Sequence, residues 1–179
     1  MGFGTSTSGP VTLNSSLTPE QQVLYQNPAV IRKILNHCRT IAMVGLSTER
    51  QKASYFVATY LKSAGYRIIP VNPRADTILG EQCYPNLSSI PVQVDLVDIF
   101  RPAKDCLPIV QEAVACKIPA VWLQLKIVNA EAAELAYRSG ILTVMDLCVK
   151  MEHGRYNGGL HAAGMNTELI SAKRTHRFI

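Results

Sequence analysis

The residues best equipped for chemistry fall in four short clusters, each following an apolar run. The first is Gly45-Leu46-Ser47-Thr48, with Arg50, Lys52 and Ser54 close behind. The second is Asn72-Pro73-Arg74, the third Phe100-Arg101 with Lys104, and the fourth Leu123-Gln124 with Lys126. Hydroxyls, cations and backbone amides are the groups that hold phosphate oxygens, and a helix start adds unpaired N–H donors with partial positive charge. Cations recurring in all four clusters point to a phosphorylated ligand rather than to simple solvation of loop tips.

Two absences narrow that ligand. The dinucleotide fingerprint G-x-G-x-x-G is missing, since Gly45 is the only glycine between Thr40 and Ala64. The acid that grips a ribose 2′-hydroxyl after the second strand is missing too, with Asn72-Pro73-Arg74 in its place. Arg74 would attract an extra ribose phosphate that an acid would repel. NAD is therefore disfavoured, while NADP, coenzyme A and other ribose-phosphate ligands fit. The missing glycines count against NADP.

A second group of reactive types, Asp146-Leu147-Cys148-Val149-Lys150-Met151-Glu152-His153, gathers a thiol, a base and carboxylates. A Cys–His nucleophile needs a lowered thiol pKa and hydrogen-bond geometry. Cysteine is also among the most buried residue types, so a structural Cys148 is expected. Cys148 and His153 supply only two metal ligands where a site needs three or four, so no metal is expected. No catalytic residue is assigned.

These clusters need a scaffold, and the chain between them is regular. Thr18-Pro19-Glu20 reads as a helix entry, and a second short helix is expected over 28–38. Strands are expected at 41–46, 66–71, 94–100, 120–125 and 141–145. Helices are expected at 54–64, from Pro108 to about Cys116, and from an Asn129 cap to Ser139. Gly65 stands where a left-handed helix cap belongs. Strands alternating with helices of about a dozen residues imply parallel βαβ units with right-handed crossovers. The expected fold class is α/β, a Rossmann-like doubly wound parallel sheet in one domain. In such a sheet the ligand lies beyond the carboxyl ends of the strands, which is where all four clusters fall.

The motifs carry a resemblance. Val44-Gly45-Leu46-Ser47, Lys52-Ala53-Ser54-Tyr55 and the run from Gly65 to Arg74 closely resemble the small coenzyme A-binding proteins. That family is similar to the N-terminal nucleotide domain of the succinyl-CoA synthetase α subunit. Gly80-Glu81, Tyr84-Pro85, Val97 to Arg101, Ala120 to Leu125 and Met145-Asp146 extend the likeness over residues 30 to 153. The resemblance implies that Gly45, Leu46, Ser47, Thr48, Lys52 and Ser54 form the phosphate-holding segment. It implies that Asn72, Pro73 and Arg74 line the adenosine phosphate end, and that Leu123 and Gln124 lie along the pantetheine arm. Phe100, Arg101 and Lys104 complete the expected rim. The family is a binding fold first, and the synthetase's active-site histidine belongs to a separate domain. Leu147 stands where the family's usual form has arginine, so that arginine's role does not carry over.

The organisation that follows is a leader over 1–19, a coenzyme A-binding domain over 20–153 with its core at 40–146, and a Gly-rich, basic extension over 154–179. The expected function is a coenzyme A or acyl-CoA binding, sensing or carrier module rather than an enzyme. The alternatives are an NADP-dependent oxidoreductase, a Cys148-dependent acyl-transfer enzyme, and an accessory subunit of an acyl-CoA or sulfur-metabolism enzyme. The extension, with Gly158-Gly159-Leu160-His161 at its head, resembles segments on some relatives linked to sulfur amino-acid metabolism. A protein partner or self-association is its expected role.

Bulk properties agree with this picture. The 179 residues are 47% hydrophobic and 17% charged, ordinary for a globular protein. The net charge of +5 suits a phosphorylated ligand. No basic stripe interleaved with aromatics appears, which argues against nucleic acid. Five cysteines without a C-x-x-C pair argue for a reducing compartment, and cytoplasmic location is expected. The start, Met1-Gly2-Phe3-Gly4-Thr5-Ser6, fits a loose myristoylation pattern read as accidental. No run reaches the ~18 apolar residues of a membrane span.

Overall fold

The computed structural model describes residues 16–157. The leader through residue 15 and the extension from residue 158, with the myristoylation pattern and the Gly-rich segment, lie outside the described residues.

The chain enters through two capped helices. Thr18 closes a capping box with Gln21 ahead of α1 (Pro19–Tyr25). Asn27 accepts the Ala29 and Val30 N–H groups ahead of α2 (Pro28–His37). Both helices carry Pro at the first turn, where its missing N–H costs nothing.

Apolar runs then alternate with helices: β1 (Thr40–Val44), α3 (Ala53–Ser63), β2 (Arg67–Val71), a small antiparallel hairpin of β3 (Thr77–Ile78) and β4 (Glu81–Gln82), and β5 (Leu96–Ile99). A single 3-10 turn (Ala103–Asp105) leads into α4 (Cys106–Ala115), followed by β6 (Ala120–Leu123), α5 (Ala130–Arg138), β7 (Leu142–Met145) and α6 (Val149–Asn157). The main sheet is parallel throughout, in the order β2-β1-β5-β6-β7. Strand order therefore reverses between β1 and β5, the switch point at which open α/β sheets take their ligands. The α/β doubly wound expectation is met.

Because side chains alternate across a strand, each face of the sheet builds its own core. Ala42, Val97, Ile99, Val121, Leu123 and Met145 pack on one side with Val110 and Ala113 of α4 and Ala132, Ala133 and Ala136 of α5. Ile41, Met43, Ile68, Leu96, Trp122 and Val144 pack on the other with Ile31, Ile34 and Leu35 of α2 and Val57, Ala58 and Leu61 of α3. Trp122 is fully buried, and its indole N–H donates to the Leu147 carbonyl at 2.7 Å, which fixes the chain after β7. Each such large apolar side chain contributes roughly 1.5–3 kcal/mol by leaving water.

Two features depart from expectation. Residues 149–157 form a helix, α6, where no helix was expected. It packs on the second core through Val149, with Cys148 and Tyr156 partly buried there. The stretch 75–90, where no strand was expected, holds the β3–β4 hairpin, and Tyr84 bridges to Val71 to cover the outer edge of β2.

Candidate functional site

Gly45 is the junction of three strand ends. Its φ of +86° suits a residue without a β-carbon, and a β-carbon there would stand 2.6 Å from the Phe100 carbonyl oxygen and 2.9 Å from Arg101 Cδ. Its N–H donates to Val71 O at 3.1 Å, and the Phe100 N–H donates to Val44 O at 2.8 Å. The loop after β1 thus lies directly against the ends of β2 and β5.

The rest of that loop is held from both sides. Asn72 donates from Nδ2 to Leu46 O, and its Oδ1 accepts the Arg74 N–H, both at 2.9 Å. Much of the Asn72 side chain therefore staples the loops together. Ser54, buried in the first turn of α3, accepts the Ser47 N–H at 3.1 Å, and Ser47 Oγ accepts the Glu49 N–H at 3.1 Å. Lys52 stands at the N-cap of α3 without a side-chain cap bond. The first-turn N–H groups of an eleven-residue helix consequently face the loop, an arrangement that favours an anion.

The structure gathers Gly45, Leu46, Ser47, Ser54, Asn72, Phe100 and Arg101 by these contacts. Thr48, Lys52, Pro73, Arg74 and Lys104 are exposed on the surrounding loops. Asn72 and Pro73 also line an open pocket of about 390 Å³, with Ala75, Asp76, Gln82, Cys83 and Pro85 as its other walls. Asp76 is a residue that sequence reasoning missed: no acid was expected beside the second strand's tip, yet the chain brings one into this pocket. Arg101 pairs with Asp105 at 2.9 Å, so its charge is partly spent within its own turn.

Leu123 is fully buried in the first core. Gln124, also buried, donates from Nε2 to Asp98 Oδ1 at 2.7 Å. Asp98 lies in the centre of the sheet, fully buried, and burial pushes its carboxyl up to about 7 against the weaker opposing pull of the Gln124 hydrogen bond. Sequence reasoning missed Asp98 as a candidate.

The thiol–base cluster is dispersed by the helix that carries it. Asp146 adopts φ of +60° and accepts the Lys126 N–H at 2.7 Å. Lys150 lies 4.1 Å above the Phe56 ring centre, and Glu152 pairs with Arg155 at 3.3 Å. His153 Nδ1 shares a 2.9 Å hydrogen bond with the Tyr60 hydroxyl, and burial pushes its imidazole below the ordinary value. Burial, with the Asp98 charge adding to it, raises the Cys148 thiol despite the backbone N–H groups of Met151 and Lys150. A thiol kept protonated in this way is a poor nucleophile.

The sequence model of the CoA binding domain matches residues 39–154, from the residue before β1 into α6. The chain belongs to the CoA-binding domain family. YneT of Bacillus subtilis (strain 168) is 37% identical over 130 residues, covering 72% of this chain and 96% of that protein. The acetate–CoA ligase [ADP-forming] II of Archaeoglobus fulgidus is 40% identical over 68 residues, which are 37% of this chain but only 10% of the ligase. A solved hypothetical protein from Pyrococcus horikoshii OT3 superposes with a TM-score of 0.71 at 34% identity, covering 73% of this chain and 92% of that one. This CoA-binding domain therefore stands alone in some relatives and forms a small part of an ADP-forming ligase in others. Among the described residues no helix is long and apolar enough to cross a membrane.

Proposed function

We propose that this CoA-binding domain protein holds coenzyme A or an acyl-CoA at the carboxyl ends of β1, β2 and β5, as a binding, sensing or carrier module. The observation that carries the reading is the loop after β1, pinned at Gly45 against the end of β5 and set by the Ser47–Ser54 hydrogen bond beside the uncapped start of α3, at the switch point of a domain of this family. In this reading the 45–48 loop, Ser54 and the start of α3 meet the diphosphate, with Lys52 adding charge. Arg74 meets the ribose phosphate beside the pocket of Asn72 and Pro73. Phe100, Arg101 and Lys104 close the β5 side, and Leu123 and Gln124 mark the course of the pantetheine arm. In this reading the protein works in the cytoplasm, with coenzyme A or an acyl-CoA rather than nucleic acid as its partner.

One observation favours a second reading. Asp76 lies in the pocket beside the tip of β2, the region where dinucleotide sites place an acid for a ribose hydroxyl. A nicotinamide dinucleotide would use it. A ligand that binds only the folded protein raises its stability, by about 2.7 kcal/mol at a hundredfold excess over Kd. Thermal unfolding with saturating coenzyme A, NADH or NADPH separates the readings. A rise with coenzyme A alone supports the proposal; a rise with a nicotinamide dinucleotide alone replaces it. The raised Cys148 thiol weighs against the acyl-transfer alternative.

A further inference from the structure

Asp98 is buried, and among the described residues no cation is paired with it. It sits between Met43 and Trp122 in the registers of β1 and β6, neither of them charged. Among the described residues the Gln124 amide bears on its Oδ1, and the Cys148 thiol at the start of α6 interacts with it electrostatically. Its Oδ2 has no hydrogen-bond partner among the described residues. Burying a carboxyl in this way costs free energy that a neutral apolar residue would not.

What the carboxyl gains is control of one amide. Asp98 Oδ1 accepts from Gln124 Nε2 whether the carboxyl is ionised or carries its proton on Oδ2, whereas a side-chain amide offers a donor end and an acceptor end. With Nε2 of Gln124 drawn 2.7 Å onto Asp98 Oδ1, Oε1 must point away from Asp98. A neutral amide at 98 would accept either orientation of Gln124, since it could donate as readily as accept.

We propose that Asp98 is a positioning residue of the ligand site: it locks the Gln124 amide so that Oε1 faces the ligand and selects an N–H donor, the group that the amides of a pantetheine arm present. This rests on the coenzyme A reading and adds to it the sense of the hydrogen bond at the β6 end, together with the residue that sets it.

Calorimetric titration tests the assignment with two ligands, coenzyme A and its 3′-phosphorylated adenosine nucleotide lacking the arm. Asp98→Asn is expected to weaken coenzyme A roughly tenfold, the worth of one oriented hydrogen bond, and to leave the armless nucleotide unchanged. In a Gln124→Leu background, Asp98→Asn is expected to cost coenzyme A nothing further, because the amide it orients is gone. Equal weakening of both ligands, unchanged coenzyme A binding, or a full additional loss in the Gln124→Leu background would each overturn the assignment. If Asp98→Asn does not fold, the wild type still decides. Its Gln124 side-chain amide protons should exchange slowly with solvent and shift as Asp98 titrates near pH 7; fast exchange with no shift would overturn the lock. Wild-type protein that binds neither ligand refutes the coenzyme A reading itself, an outcome distinct from a failed Asp98 response in protein that binds both.

Discussion

Gly45 and Phe100 are in such close contact that a single added carbon on Gly45 would stand 2.6 Å from the Phe100 carbonyl oxygen. The loop that begins the proposed site is therefore pressed against the end of β5, and its backbone follows a path with φ of +86° that side chains resist. Gly65, with φ of +94°, has nothing among the described residues within 4 Å of its would-be β-carbon. The two glycines share a conformation and differ in crowding.

Gly45→Ala should consequently cost more than Gly65→Ala. Backbone strain alone predicts about 1 kcal/mol at Gly65, and strain plus a backbone clash predicts at least about 2 kcal/mol at Gly45. Urea denaturation of both variants checks the order. Equal losses would mean that the close approach at Gly45 is not maintained in solution.

Asp98 should leave a mark on stability as a function of pH. Its folded value, about 7, lies above the ordinary 3.8, so the folded state keeps a proton that the unfolded state releases in between. Its contribution is fully present below about pH 4 and is lost as pH rises through about 7. Asp98→Asn does not titrate. Its stability relative to the wild type should climb between those limits, by up to a few kcal/mol. Parallel stability curves for the two proteins would show an ordinary, solvated carboxyl instead.

Cys148 should behave as a quiet thiol. Burial raises it first, the Asp98 charge adds to that, and two backbone N–H groups only partly offset both. At pH 7.5 iodoacetamide should label the exposed Cys116 well before Cys148. Peptide mapping by mass spectrometry gives the order directly, and rapid preferential labelling of Cys148 would revive the acyl-transfer alternative.

Arg74 is exposed beside the Asn72–Pro73 pocket. Its replacement by Ala should weaken coenzyme A more than dephospho-coenzyme A, because only the former carries the ribose phosphate. The affinity of the wild type for coenzyme A should also fall with added salt, since exposed cation–phosphate contacts are screened. Identical losses for the two ligands in Arg74→Ala would move the ribose phosphate elsewhere.

The strands and most helices were legible because apolar runs such as Ile41 to Val44 are bounded by clear stops: Gly45, Asn72-Pro73 and the Asn129 cap. α6 was not. It has Gly154 in its interior and only a weak apolar stripe, and it is held by tertiary contacts such as His153 against Tyr60 and Tyr66. The two acids of the β5 region show the same limit. Asp95 accepts the Arg39 and Thr40 N–H groups at 2.8 Å, whereas Asp98 is sealed in the sheet. Strand parity alone does not tell which acid is solvated, because β5 is covered on both faces. Asp76 escaped because the hairpin after β2 folds it back beside residues that follow the strand's end at Val71.

Isothermal calorimetry with coenzyme A on the folded protein tests the central claim most directly. The account predicts saturable binding at one molecule per chain, weakened by salt and by loss of Arg74. Heat no greater than dilution, from protein that unfolds cooperatively in the same buffer, would contradict it.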